Sequence, residues 1–381
     1  MPRYTLQPNE FALSSAERES ILANPGFGDF FTDHMAVASW NTVDGWHNHR
    51  LTATAPFQLH PSAGVLHYGQ EIFEGMKAYR QADGSVAVFR PAKNAVRFAH
   101  SATRMSMPPL PEDDFLASVL ELVDSERDWV PEAQGEQSLY LRPYMFASEA
   151  FVGVRASLAY TYAVIATPVG PYYPDPVKLW ATPNYTRAAV GGTGDVKCGG
   201  NYAASLIAAG EAHEHGCGQV VWLDGAEHTW VEECGTMNIM FVMADGELVT
   251  PTLGTILEGV TRDSLLTLAP GHGLTPVERK ISIQEVFEGV RSGEIAEVLA
   301  CGTAAVVTPI VGFAAPGDEA DVTVTVGDGT PGAKSTALRS HLLDIQYGRV
   351  ADEHGWMRRV EASACGVNPP RTPPAEATMD A

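Results

Sequence analysis

The stretch Gly191-Gly192-Thr193-Gly194-Asp195-Val196-Lys197-Cys198-Gly199-Gly200-Asn201-Tyr202 constrains this chain more than any other segment. One lysine stands among five glycines, and a helix-compatible run, Tyr202-Ala203-Ala204-Ser205-Leu206-Ile207-Ala208-Ala209, follows at once. Glycine lets backbone approach a bulky ligand closely and removes side chains that would block it. A lysine presented there suits an amine that forms a Schiff base with a carbonyl compound. A solvated lysine in an ordinary strand-to-helix turn has the same local appearance. Two phosphate-binding patterns are excluded. A P-loop needs Gly-Lys-Ser/Thr, whereas Lys197 lies between Val196 and Cys198. The dinucleotide pattern Gly-x-Gly-x-x-Gly fails because Lys197 takes the third glycine's place after Gly192 and Gly194.

At 381 residues the chain is long enough for two domains, each with its own core. It carries 46 acidic against 25 basic residues, a formal net charge of −21. That excess argues against nucleic acid and anionic membrane as partners. A few buried arginines can still make a local site for an anionic small molecule. The five cysteines (Cys198, Cys217, Cys234, Cys301 and Cys365) form no C-x-x-C pair and read as reduced thiols in a reducing compartment. The first ten residues lack the apolar core of a signal peptide, and no run is long enough to span a bilayer. A cytoplasmic protein without a metal site is expected.

Alternating residues around 31–38 and 85–90 read as strands, and residues 93–105 as a helix ending before Pro108-Pro109. Residues 112–129 read as one amphipathic helix with Phe115, Val119, Leu122 and Val123 on its apolar face. Residues 139–146 and 158–167 read as short β-rich runs. The segment 168–176 holds four prolines and a glycine in nine residues, a composition that excludes a helix or a central strand and marks an interdomain connection. Beyond it, strands are expected at 219–223, 238–243 and 298–300, and helices at 261–268 and 334–346. The Pro- and Ala-rich end reads as a disordered tail. The pattern is two α/β lobes, the second richer in strands.

Three further motifs bear chemistry. Glu232-Glu233-Cys234-Gly235-Thr236-Met237-Asn238 brings an acid into a turn that feeds the strand from Ile239. Gly259-Val260-Thr261-Arg262 opens a helix, whose free N–H groups suit an anion. Cys301-Gly302-Thr303-Ala304-Ala305 ends a strand in a second Gly-Thr turn. Each has a plain structural reading, as a surface turn or a helix cap.

Taken in order, these motifs resemble the branched-chain aminotransferases among the fold-type-IV pyridoxal-phosphate enzymes. The resemblance runs from about residue 57 to 347. It is carried also by His67-Tyr68, Glu71-Ile72-Phe73-Glu74-Gly75-Met76-Lys77-Ala78-Tyr79-Arg80, Ser138-Leu139-Tyr140-Leu141-Arg142-Pro143 and Asp344-Ile345-Gln346-Tyr347-Gly348-Arg349. It implies an α/β (α+β) fold in two domains: a small N-terminal α/β domain (1–171), an interdomain loop (172–187) and a larger pseudo-barrel domain (188–365), with the tail at 366–381.

The resemblance also implies roles. Lys197 would hold pyridoxal 5'-phosphate as a Schiff base and shuttle protons. Glu233 would pair with the pyridine nitrogen and Tyr202 with the ring hydroxyl. Arg97, Thr303 and the backbone of Val260 and Thr261 would hold the phosphate, with Thr236 also at the cofactor. Thr303 and Ala304 N–H groups, with Tyr140, would bind the substrate α-carboxylate, and Arg142 would meet the side-chain carboxylate of glutamate. Phe73 would form part of the apolar wall, as would Tyr68, Val152 and Val154 from a second subunit, so a homodimer is implied. The implied reaction is ping-pong transamination of L-leucine, L-isoleucine and L-valine with 2-oxoglutarate. A D-amino-acid aminotransferase or an aminodeoxychorismate lyase is the neighbouring alternative within the fold type, and substrate chirality separates them. The C-x-x-C that mammalian members carry after the Gly-Thr-Ala turn is replaced here by Ala305-Val306-Val307-Thr308, so that thiol switch is expected to be absent.

Overall fold

Two mixed sheets carry the chain in the computed structural model, which describes residues 3–133, 135–171 and 175–362. The first sheet takes β1 (Thr5–Leu6), β2 (His34–Asn41), β3 (Gly45–Ala53), β4 (Glu71–Phe73), β5 (Met76–Arg80), β6 (Val86–Phe89), β7 (Ser138–Ala147) and β8 (Ala159–Val169). The second takes β9 (Val177–Ala181), β10 (Gln219–Leu223), β11 (Val231–Cys234), β12 (Asn238–Met243), β13 (Glu247–Thr250), β14 (Thr275–Glu278), β15 (Ile295–Gly302), β16 (Val306–Ala315) and β17 (Val322–Thr325). The chain then returns, and β18 (Met357–Arg359) pairs antiparallel with β6 at the edge of the first sheet. The orders are β1-β3-β2-β8-β7-β5-β6-β18, with β4 on β7, and β11-β10-β9-β16-β15-β12-β13-β14, with β17 on β16. Among the described residues each sheet therefore has nine strands, and the expected β-richness of the second lobe is not seen.

Helices Pro91–Arg104 and Glu112–Ser125 cover the first sheet. Their apolar stripes supply Ala95, Phe98 and Ala102 from one, and Phe115, Val119, Leu122 and Val123 from the other, to one core with Ile72, Leu141 and Tyr162. The second helix stops at Ser125, and residues Arg127–Trp129 form a separate 3-10 turn rather than prolonging it. A second core lies between the second sheet and helix Ile283–Ser292. A third joins the sheets: Tyr79 and Phe89 of the first pack with Met240, Val242 and Leu299 of the second and with helices Val260–Leu268 and Ala333–Gln346.

Two sequence expectations fail around the proline-rich segment. The strand β8 runs through Pro168 to Val169, in the middle of the sheet, paired with β7 to its end. Ala166 accepts from Thr32 N–H and Gly170 donates to Gly26 carbonyl, so alternate residues here turn their backbone groups away from β7. The neighbour β2 pairs with β8 only as far as Val164. Pro168 thus lacks its N–H where no ladder needs one, which is how a proline fits in a strand. Within the expected connection, Val177–Ala181 is β9, buried between β10 and β16. The helix expected from Tyr202 begins earlier, at Gly199, and breaks after Ala203 before resuming as Leu206–Glu214. The tail 366–381 and Cys365 lie outside the described residues.

Phe115 is 1% exposed, with ring centroids of Phe98 and Tyr162 at 5.3 and 6.3 Å. Phe115→Ala is expected to lower stability by about 3–5 kcal/mol, read as a lower urea midpoint with an unchanged slope.

Candidate active site

The glycine-rich loop reaches its shape through side chains from within and outside it. Asn201 Nδ2 donates to the carbonyls of Thr193 (2.7 Å) and Val196 (3.0 Å). Arg104 donates to the carbonyls of Gly191 and Gly192, both at 2.8 Å. Gly194 is required by contact: a Cβ there would stand 2.2 Å from the Thr255 carbonyl oxygen. Lys197 itself is pinned on both backbone sides, its N–H donating to Ser101 Oγ (3.1 Å) and its carbonyl accepting from Phe73 N–H (2.9 Å). Its amine is thereby aimed into a cavity of about 440 Å³ between the two sheets.

Inside, Lys197 Nζ donates to Tyr202 Oη at 2.5 Å and lies 4.5 Å from the Phe73 ring centroid. Burial lowers the Lys197 ammonium to about 8 from 10.5, and the charge of Arg97 adds to that. Burial likewise raises the Tyr202 phenol, so the hydroxyl stays protonated. Glu233 on β11 is 4% exposed. Burial pushes its carboxyl up to about 7, against the pull of Arg187, which pairs with it at 2.8 Å. Asn238 Nδ2 donates to the other carboxylate oxygen at 3.0 Å.

The helix Val260–Leu268 opens on the same cavity with Gly259 as its cap and no side chain closing it. A Cβ at Gly259 would stand 1.9 Å from Asn238 Oδ1, so this residue too is fixed by contact. Val260, Thr261, Thr303 and Thr236 line the cavity. Arg97 lines it as well, though not as a free cation. Its Nε and Nη2 donate to the two oxygens of Glu74 at 2.7 and 2.8 Å, and Nη1 donates to the Glu258 carbonyl at 2.8 Å. Glu74 is fully buried; burial alone would raise its carboxyl, but Arg97 outweighs that and holds it below the usual range.

The remaining wall carries Phe73, Tyr140, Arg142 and Ala304, joined by Phe27. Arg142 Nη2 donates to Tyr140 Oη at 3.0 Å, and its guanidinium stacks 4.7 Å over Phe73. Arg142 Nε is buried without a protein partner. Twelve of the fifteen residues singled out in the sequence therefore face one space. The other three do not reach it: Tyr68 is 42%, Val152 62% and Val154 90% exposed. The turn after β15 is strained. Val306 has φ +60°, the left-handed region that a β-branched side chain rarely adopts, at an expense of about 1–3 kcal/mol.

Residues the sequence did not assign complete the site. Arg187 joins Glu233 to the lysine loop, since it also donates to the carbonyls of Gly194 (3.2 Å) and Thr255 (2.8 Å). Glu74 is the counter-charge of Arg97, and Glu71 accepts the Gly199 N–H. No local pattern announces these pairings; Glu74 and Glu71 do sit in the block around Phe73 that carried the resemblance.

A weakly basic amine, an uncapped helix opening beside an arginine, and a buried acid thus share one cavity. This set fits a planar aldehyde that carries a phosphate and a basic ring nitrogen.

Comparison with known proteins agrees. The family model "Amino-transferase class IV" matches residues 71–313. The branched-chain-amino-acid aminotransferase of Mycolicibacterium smegmatis is 50% identical over 364 residues, covering 94% of this chain and 98% of its own. The solved branched-chain aminotransferase of the thermophilic archaeon Thermoproteus uzoniensis with norvaline superposes with a TM-score of 0.70 at 25% identity, over 86% of this chain and 100% of that one. A branched-chain amino acid aminotransferase solved with pyridoxamine 5'-phosphate, from the organism abbreviated T.th., gives 0.68 at 27% identity over 86% of this chain and 99% of that one. The chain belongs to the class IV aminotransferases, and among them to the branched-chain-amino-acid aminotransferases.

Proposed function

We propose that the protein transaminates L-leucine, L-isoleucine and L-valine with 2-oxoglutarate, giving the branched-chain 2-oxo acids and L-glutamate in two alternating half-reactions with pyridoxal 5'-phosphate as cofactor. The observation that carries this reading is the lowered amine of Lys197, hydrogen-bonded to Tyr202 in the cavity that also holds Glu233. Bound there, the cofactor supplies an aldehyde that takes up the amino group and a ring that accepts the electron pair left at Cα.

Lys197 would hold the cofactor covalently, and its freed amine would serve as general base and acid. Its Nζ would take up the proton from the substrate Cα and later give one back. An amine near pKa 8 is well matched to that two-way task at neutral pH. Glu233 favours a proton on the ring nitrogen, because a buried carboxylate stabilises a cation beside it. Tyr202 keeps its proton and can donate to the ring oxygen. The phosphate falls to Arg97, Thr303 and the Val260 and Thr261 N–H groups.

One pocket must hold both an aliphatic side chain and a carboxylate. Phe27 and Phe73 provide apolar surface, and a carboxylate is tolerated there only if paired. Arg142 and Tyr140, at the same wall, supply that pairing. Thr303 and Ala304 take the α-carboxylate that both substrates share. This reading includes a homodimer in which Tyr68, Val152 and Val154 reach the neighbouring cavity, consistent with their exposure. It places the protein in the cytoplasm; among the described residues no helix is long and apolar enough to cross a membrane. A domain boundary falls between β8 and β9, where the chain changes sheets.

Lys197→Ala is expected to lower leucine turnover by at least ~100-fold; near-normal turnover would sink the assignment. In cofactor-free protein, the rate of covalent pyridoxal 5'-phosphate uptake should rise with pH and level off above about 8, rather than near 10.5. Stopped-flow absorbance reads this directly. Arg187→Met should move Glu233 upward from about 7. Wild-type and variant carboxyls both hold their proton below about 7, so the variant's extra loss of stability opens only as pH rises above about 7, where wild type ionises and the variant does not. It should reach roughly 1–3 kcal/mol about two pH units higher, measured by urea unfolding across pH. A pH-independent deficit would contradict the pairing.

A further inference from the structure

One charged side chain beside the cavity has no part in the chemistry above. Lys77 lies in β5, is 4% exposed, and reaches from the first sheet to the second, where its Nζ donates to the Ala304 carbonyl at 2.8 Å. Tyr79, Tyr347 and the Glu136–Arg339 ion pair surround it. Burial lowers its ammonium to about 8, with Glu136 opposing and Arg339 adding to that shift. An apolar side chain would fill this position without the desolvation that an ammonium suffers. The placement is therefore costly unless the amine does something there.

The carbonyl it holds belongs to the turn after β15. In a trans peptide the C=O and N–H point in opposite directions, and the described residues contain no cis peptide. With the Ala304 carbonyl drawn to Lys77, which lies outside the cavity wall, the Ala305 N–H points the other way. Ala305 lines the cavity. The next residue, Val306, is the one held at φ +60°. A turn that ends in such a conformation persists only when surrounding contacts impose it, and Lys77 supplies a contact from the other sheet.

We propose that Lys77 is a positioning residue for the substrate carboxylate. It fixes the Ala304–Ala305 peptide so that the Ala305 N–H joins those of Thr303 and Ala304 as a donor, and it places a buried positive charge behind them. This deepens, and rests on, the reading of that turn as the α-carboxylate site. Every substrate of both half-reactions carries that carboxylate, so Lys77 serves amino acid and 2-oxo acid alike, whatever the side chain. Preset donors with a charge behind them bind an anion more strongly than the same donors in a mobile turn.

The test uses holoenzyme, with Lys77→Met and Lys77→Gln beside wild type. Calorimetric titration follows 4-methylpentanoate, which has the leucine skeleton and carboxylate without the amine, and 3-methylbutylamine, which has the amine without the carboxylate. Steady-state KM and kcat are measured with L-leucine. Lys77→Met is expected to weaken 4-methylpentanoate binding and raise the leucine KM by about 10-fold or more, the worth of a charge-assisted contact. Its kcat should change by less than about threefold, and binding of the amine should stay as in wild type. Lys77→Gln, which keeps a donor without the charge, should fall between, and it carries the comparison if the Met variant does not fold. Unchanged carboxylate affinity in the variants overturns the proposal. Equal weakening of carboxylate and amine also overturns it, because that marks a merely structural lysine. Failure of wild type itself to bind 4-methylpentanoate strikes the carboxylate site as a whole, and the part of Lys77 with it.

Discussion

Glu233 is a carboxylate with almost no access to water, and Arg187 is what keeps that arrangement tolerable. An isolated buried carboxylate would neutralise itself by taking up a proton, since the uncompensated charge costs several kcal/mol. With Arg187 at 2.8 Å the acid stands near its point of half-ionisation instead. The same guanidinium also holds the carbonyls of Gly194 and Thr255. One cation therefore sets both the acid strength of Glu233 and the path of the loop that presents Lys197. Gly194 follows from this, because nothing larger fits beside Thr255.

The same device recurs around the cavity in different proportions. Arg97 is offset by Glu74, Arg142 is sheltered by Phe73 and Tyr140, and Lys77 is tied to a carbonyl. The chain as a whole carries −21, yet its cavity is faced by Lys197, Arg97 and Arg142 against Glu233. An anionic ligand thus meets attraction only within the last few ångströms, where charges are desolvated and poorly screened.

Much of this was legible in the sequence, and what was missed has a common cause. The helix face of Phe115, Val119, Leu122 and Val123 follows from spacing, and all four are buried in the first core. Strands Gln219–Leu223 and Asn238–Met243 stand at their expected positions. The cluster of Lys197, Tyr202, Glu233 and the Gly259 helix opening was visible as separate motifs, and the fold brings them to one cavity. Local rules failed where a remote neighbour decides the outcome. Pro168 reads as a strand breaker until one knows that β2 has ended beside it. The resemblance implies Arg97 only as a phosphate ligand, and its partner Glu74 shows only in the fold; Arg187 has no sequence signature because its partners are brought together by the folded chain.

The edge of the first sheet is finished by Met357–Arg359, residues made after every strand of the second sheet. As the chain leaves the ribosome, β6 must wait with one flank open until every strand of the second sheet has been synthesised. An unpaired strand edge is a template for wrong pairing with other chains. The order of synthesis therefore leaves the N-terminal half exposed to association until the second sheet has been made.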